Sequence, residues 1–309
     1  MPNIFALPNF AGELFTSDAV NTPLLSMSGG MTGGKFTENW EFPVSSDYNL
    51  AAAAQPAITE TASITAPAAT NVVRTQQTNV CQIHQYAIQL TYHKMGNRGR
   101  LSGLNTEGAK NNAQDEYNFQ VARKLEEAAR DIELSFIQGT YALAANAGQV
   151  NTTRGLVEVC QIAGGTNVNA AGAQLDLALA NNLFLTMYNN GAPFSNTILY
   201  VGGALKQRLS AIYGYAPTDR VVGGVNIKQL ETDFGNIGIV VSRFAPANTV
   251  LAIEMSQISP VFLEIPGKGH FFVEPLSKTG AAESWQLYGE VGLDYGAWYS
   301  HGRLFNVVA

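Results

Sequence analysis

Tyr117-Asn118-Phe119-Gln120-Val121-Ala122-Arg123-Lys124-Leu125-Glu126-Glu127-Ala128-Ala129-Arg130-Asp131-Ile132-Glu133-Leu134-Ser135-Phe136 carries the strongest periodic signal in the chain. Tyr117, Val121, Leu125, Ala128, Ile132 and Phe136 recur at spacings of three and four, which places them on one face of an α-helix. The other face holds Arg123, Glu126, Glu127 and Arg130, and the spacing predicts i, i+4 ion pairs Arg123/Glu127 and Glu126/Arg130. Gly139 is a suitable stop. The predicted helix covers residues 105–139 and would be about 50 Å long at 1.5 Å per residue. A single helix of that length among short strands predicts a flat, elongated molecule. Glu126, Glu127, Asp131 and Glu133 are dense enough to bring acid–base chemistry to mind. With Arg123, Lys124 and Arg130 beside them, they are assigned instead to a solvated face or a subunit contact.

Upstream of the helix the chain changes character. Residues 1–45 are rich in Gly, Ser, Thr, Asn and Pro and include Ser26-Met27-Ser28-Gly29-Gly30-Met31-Thr32-Gly33-Gly34, a stretch that cannot build a core alone. They read as an extended arm, held in place by something outside it. From Trp40 to Cys81 charge is scarce, Ala, Thr and Val are abundant, and Pro43, Pro56 and Pro67 interrupt any helix. Two extended arms joined near residues 51–66 are predicted. Each would have about 15 residues and reach roughly 50 Å at ~3.3 Å per residue. A lone hairpin of that length is marginal in water and makes physical sense when another molecule covers it.

Downstream, Leu175, Leu179, Leu183 and Met187 predict a helix over 173–188, ended by Asn189-Asn190-Gly191. A buried strand over 197–201 and a short helix over 204–213 follow. Strands are then predicted over 238–244, 249–255, 260–265, 270–274 and 285–293. The fold class is α+β.

Composition narrows the function. Charged residues make up 14% of the 309 residues, against roughly 25% in ordinary soluble domains. A sparsely charged surface suits a molecule largely covered by neighbours. The net charge of −6 and pI near 5.3 argue against a basic face that grips nucleic acid. No apolar run has the length of a membrane span, and the N-terminus lacks a signal pattern. Cys81 and Cys160 read as small buried hydrophobes.

Catalytic patterns are missing. His84, His93, His270 and His301 are scattered without metal-ligand spacing. There is no nucleophile elbow, phosphate-binding loop or dinucleotide fingerprint. Trp40, Trp285, Trp298, Tyr295 and Tyr299 are assigned to core or interface packing.

Taken in order, several local motifs resemble the major capsid proteins of tailed phages. Asn21-Thr22-Pro23-Leu24-Leu25-Ser26-Met27 and Trp40-Glu41-Phe42 are similar to their arm and the start of their extended loop. Glu127-Ala128-Ala129-Arg130-Asp131-Ile132-Glu133 resembles the end of the spine helix, and Thr153-Arg154-Gly155-Leu156 the turn after it. Asp233-Phe234-Gly235-Asn236-Ile237-Gly238-Ile239-Val240, Phe244-Ala245-Pro246 and Gly289-Glu290-Val291-Gly292-Leu293 resemble the C-terminal strands.

The resemblance implies the Hong Kong 97-type capsid fold, with an N-arm over 1–45, an extended E-loop hairpin over 46–80 and a long spine helix over 105–139. It implies a peripheral domain over 81–160 and 265–309, and an axial domain over 161–264 whose tip loop is 213–224. The implied function is a structural subunit of an icosahedral or prolate bacteriophage head, self-assembling into hexamers and pentamers that enclose double-stranded DNA. It implies no enzyme activity, cofactor, metal, membrane or sequence-specific DNA contact. Expected partners are further copies of the chain, a portal protein, a separate scaffolding protein and, as an option, decoration proteins. Expected localisation is the virion, after assembly in the host cytoplasm. Trp40, Arg74, Lys94, Arg98, Arg100, Tyr213 and Pro217 are the candidate subunit-interface residues. Some relatives lock the shell with an isopeptide bond from an E-loop lysine, but no Lys lies between Lys35 and Lys94, so none is expected. Alternative readings are an encapsulin-like nanocompartment shell, which shares the fold, and a small oligomeric hydrolase, which lacks a recognisable nucleophile and base.

Overall fold

The computed structural model describes residues 21–48, 53–96, 112–213, 219–222 and 225–309. Along the chain, helix α1 (Pro23–Met27) leads to strand β1 (Lys35–Thr37) and the hairpin β2 (Glu41–Tyr48) and β3 (Arg74–Val80), with helix α2 (Glu60–Ser63) between the hairpin strands. Strand β4 (Gln82–Thr91), helix α3 (Tyr92–Gly96), the long helix α4 (Asn112–Gln138) and helix α5 (Leu156–Val159) follow. Next come β5 (Thr166–Asn169), α6 (Leu177–Asn189), β6 (Thr197–Val201), α7 (Gly203–Tyr213), β7 (Asp219–Val222), β8 (Val225–Thr232), β9 (Gly235–Val241) and β10 (Thr249–Glu254). The chain closes with β11 (Ser259–Leu263), β12 (Phe271–Pro275), β13 (Ala282–Asp294) and β14 (Gly302–Phe305).

Helix α4 ends where the sequence predicts. A Cβ on Gly139 would sit 2.3 Å from the Ser135 carbonyl oxygen and 2.5 Å from that of Thr153, so the chain can turn there only without a side chain. The expected first turns, 105–111, lie outside the described residues. The apolar stripe is less deeply buried than its periodicity implies. Ala128, Ile132, Phe136 and Ile137 are in the core, Tyr117 and Val121 are partly covered, and Leu125 is exposed. The C-terminal half of α4 lies in the main core with α1 and α5, whereas the N-terminal end meets β13, with Tyr117 packed on Trp285 at a ring separation of 4.7 Å. Arg123 pairs with Glu126 at 2.8 Å, at i, i+3 rather than with the expected Glu127, which instead meets Lys124 at 2.6 Å. Arg123 is drawn over the Phe119 ring and Lys124 over the Tyr86 ring, which favours the nearer carboxylate.

Two sheets organise the body. In the five-stranded sheet β1, β11, β13 and β12 are neighbours in that order, and β4 pairs antiparallel with β13 from Ala282↔Thr91 to Val291↔Gln82. Sequence reasoning missed β4, although its period of two is plain: His84, Ile88 and Leu90 are buried while Ile83, Gln85 and Gln89 are exposed. The seven-stranded sheet has the order β5-β14-β10-β6-β9-β8-β7. Its centre is covered on both faces, which explains why β6 reads as a continuous apolar run. Ile198 and Tyr200 belong to the core around the end of α4, and Leu199 and Val201 to the core around α6 and α7. Strand β11 joins the five-stranded sheet and β14 the seven-stranded one, so the two layers exchange strands across the contiguous ranges expected for the peripheral and axial domains.

The hairpin is real, but its paired arms are 8 and 7 residues long rather than about 15. Beyond Tyr48 and Arg74 no strand continues among the described residues; Pro56 and the turn of α2 lie within the expected connection near 51–66, with Pro67 just after it. The inner part of the N-terminal segment is held by its own chain. Leu24 and Leu25 are buried in the main core, and β1 pairs in parallel with β11.

Candidate functional site

The hairpin changes from closed to bare along its length. At its root Phe42, Cys81 and Val261 form a small buried cluster, and the Cys81 amide donates to the Trp40 carbonyl at 2.7 Å. Asn79, wholly buried, joins three segments there. Its Nδ2 donates to the Leu293 carbonyl at 2.7 Å, and its Oδ1 accepts from the Arg154 amide at 2.8 Å. Thr153 Oγ1 completes the junction by accepting from the Leu293 amide at 3.1 Å. Strand β3, the turn after α4 and the end of β13 are thus bonded to one another, which fixes how the hairpin leaves the body.

The far end has no such cover. Ile58, Ile64, Val72 and Val73 are 73%, 83%, 52% and 72% exposed, and the described residues from 53 to 75 are all exposed. Burying each of these side chains fully would contribute about 1.5–3 kcal/mol. A projecting segment that exposes such a row is an interaction surface by its chemistry.

The sequence-selected residues do not form one cluster. Trp40, 60% exposed, stands at the hairpin root, and Arg74 is exposed where β3 begins. Lys94 lies in α3, partly buried. Tyr213 is the last residue of α7. Arg98, Arg100 and Pro217 lie outside the described residues, as does much of the 213–224 loop. Residues that sequence reasoning did not single out are Asn79 and the exposed apolar row at the hairpin end. The signal for the row was present, since Ile58, Ile64, Val72 and Val73 stand in a stretch with a single acid, Glu60.

Two buried carboxylates anchor the body. Glu133, expected on a solvated face, is wholly buried. Its Oε1 accepts from the Leu24 amide at 3.0 Å and the Tyr200 hydroxyl at 2.6 Å, and its Oε2 from the Leu25 amide at 2.7 Å. A signal existed here too, because Glu133 falls between Phe136 and Ile137 on the helix wheel and so borders the covered side. Burial raises its pKa, and the bonds from Tyr200, Leu25 and Leu24 pull back less. Glu254, also wholly buried, accepts from the hydroxyls of Ser195, Thr197 and Ser256 and from the Asn196 amide at 3.0, 2.8, 2.6 and 2.9 Å. Burial pushes its pKa up, but these bonds together outweigh burial and hold it below the usual range.

A shallow groove between β4 and α4, lined by Gln82, His84, Tyr86, Asp131 and Ser135 among others, gathers titratable side chains. Tyr86 donates to Asp131 there, and its pKa is raised by burial and by that bond, while burial lowers that of His84. Burial pushes the thiols of Cys81 and Cys160 up to about 12, so neither is a thiolate nucleophile at neutral pH. No described helix is long and apolar enough to cross a membrane.

Comparison with known proteins gives this surface its setting. No curated protein matches the chain. Among solved structures it resembles the Cyanophage A-1(L) capsid asymmetric unit at 12% identity and a TM-score of 0.66, with 100% of both chains covered. It resembles the capsid of the empty GTA particle at 12% identity and a TM-score of 0.59, covering 97% of this chain and 100% of that one. A third likeness is to the holo-SrpI encapsulin complex from Synechococcus elongatus PCC 7942, at 11% identity and a TM-score of 0.58, covering 95% of this chain and 92% of that one. At such identities the likeness is one of fold, and the fold is the Hong Kong 97 type. The sequence profile of the SU10 major capsid protein family matches residues 2–308, so the chain belongs to that family: it is a structural subunit of a phage capsid shell, not an enzyme.

Proposed function

We propose that this subunit assembles into hexamers and pentamers that close an icosahedral or prolate head around double-stranded DNA. The observation that carries this reading is the hairpin end, whose apolar side chains stand exposed among the described residues and would gain cover from another molecule. Closure requires one chain to make similar contacts at slightly different angles, and a hairpin fixed at its root and uncovered at its end suits that demand. In this reading residues 1–45 are the N-arm and 46–80 the E-loop. Residues 81–160 and 265–309 form the peripheral domain and 161–264 the axial domain. Trp40 and Arg74 meet a neighbour along the hairpin, Lys94, Arg98 and Arg100 pair with a neighbour's acids, and Tyr213 and Pro217 stand near the capsomer centre. A portal, a separate scaffolding protein and optional decoration proteins complete the head, which forms in the host cytoplasm. The acidic net charge supports enclosure of DNA without a sequence-specific grip.

Negative-stain electron microscopy of the purified protein after gentle assembly, alone and with its scaffold, tests this. Closed angular shells or sheets of hexameric rings are expected, and denaturing gels of those particles should show single subunits without covalent ladders, since the hairpin lacks lysine. A uniform small oligomer under every condition would overturn the reading.

A further inference from the structure

Helix α1 is only five residues long, and its N-cap residue Thr22 makes no side-chain capping bond. The first amides of a helix have no partner within it and need an acceptor from elsewhere. Pro23 removes one of them, and the next two, of Leu24 and Leu25, each bond to one oxygen of Glu133, which stands 109 and 108 residues further along the chain. The cap is therefore borrowed from the long helix. Tyr200 of β6 holds the Oε1 side of the same carboxylate at 2.6 Å, so three elements distant in sequence meet at one side chain.

We propose that Glu133 is a positioning residue for shell assembly, which supplies α1 with its missing cap and so fixes the point where the N-terminal segment joins the body. The geometry needs both oxygens. Shortening the side chain withdraws the acceptors, and an amide presents an NH2 group to one of two backbone donors. The arrangement is not explained by gain in global stability. Taking a carboxylate out of water is costly, and an apolar residue of similar volume often fills such a space at equal or lower cost. What an apolar residue cannot do is hold Leu24 and Leu25 in register with α4.

The inference rests on reading residues 1–45 as an arm used in the shell, and the test separates the two ideas. Amide hydrogen exchange of Leu24 and Leu25 is measured in the unassembled subunit, together with its urea midpoint, for Glu133→Gln, Glu133→Leu and Tyr200→Phe. Assembly yield and particle diameter are then measured by electron microscopy. Exchange at one or both amides should rise about tenfold or more in the two Glu133 variants, the cost of losing a hydrogen bond to a charged group. In Tyr200→Phe, which keeps both amide bonds, it should hardly change. The urea midpoint of Glu133→Gln should stay near that of the parent while its yield of regular shells falls. Unchanged exchange in Glu133→Gln, or equal loss of protection in Tyr200→Phe, would show that the amides are held by packing alone and would overturn the anchor. Freed amides with shells of parental yield and diameter would uphold the anchor and overturn its part in assembly. If Glu133→Leu does not fold, the contrast between Glu133→Gln and Tyr200→Phe still decides the matter.

Discussion

The root and the end of the hairpin belong to one continuous segment, yet they answer to different neighbours. At the root Phe42, Asn79, Val80 and Cys81 are buried against strands and turns of the same chain, and every bond named there is intramolecular. At the end Ile58, Ile64, Val72 and Val73 are exposed and belong to none of the buried clusters among the described residues. The difference shows that apolar sequence does two jobs in this protein. Near the body it stabilises the fold, and away from the body it stands exposed and, in the function proposed above, is held for other copies.

The largest effect that could sharpen this contrast is at the end. Replacing Ile64 and Val73 together by Asp should lower the yield of closed shells by more than about tenfold, since each apolar side chain would gain about 1.5–3 kcal/mol on burial. The urea midpoint of the unassembled subunit should not move, because neither residue is packed within it. A lowered midpoint with normal shells would break the comparison.

The body should respond the other way. Glu254→Gln should cost about 1.5–3 kcal/mol at neutral pH, because a buried carboxylate with several donors becomes an amide that cannot accept from all of them. The lowered pKa gives the sign. Glu254 contributes stability above the ordinary carboxylate pKa and loses it as pH falls through its depressed folded value, so the gap between variant and parent should narrow in acid. Glu133 has the opposite sign, since its raised pKa means a contribution present below the ordinary value and lost as pH rises through the folded one. Urea titrations across acid pH should therefore show the gap closing for Glu254→Gln and not for Glu133→Gln.

A smaller effect is expected at the root. A Cβ on Gly292 would lie 2.7 Å from both the Phe42 ring and the Val80 carbonyl oxygen, so Gly292→Ala should cost about 1–3 kcal/mol through overpacking. Its thermal midpoint should fall while the exposed row stays intact. An unchanged midpoint would mean that the root is loose, and the distinction between root and end would then fail.

How much of this was legible in the sequence depends on how local the cause was. The 27-residue helix α4, its stop at Gly139, helices α6 and α7 and the apolar strand β6 follow from periodicity and from the residues that end each element. The existence of a hairpin followed from proline and alanine flanking scarce charge. Its length did not, because pairing stops where partners and cover run out. Among candidate residues, Trp40 stands just before β2 and Arg74 at the start of β3, and both are exposed. The wheel position of Glu133 hinted at burial, but charge neighbours three and four residues away pointed the other way.

The sequence by itself determined the class of elements, the low-charge surface that needs neighbours, and the order of motifs shared with capsid proteins. Only the tertiary structure decided that Glu133 caps a helix 108 residues away, that Asn79 ties three segments together, and that Leu125 stays exposed on an otherwise covered stripe. The physical reason is that hydrogen bonding and burial depend on what approaches a side chain through space. Periodicity along the chain records only which residues share a face, and says nothing of what that face will meet.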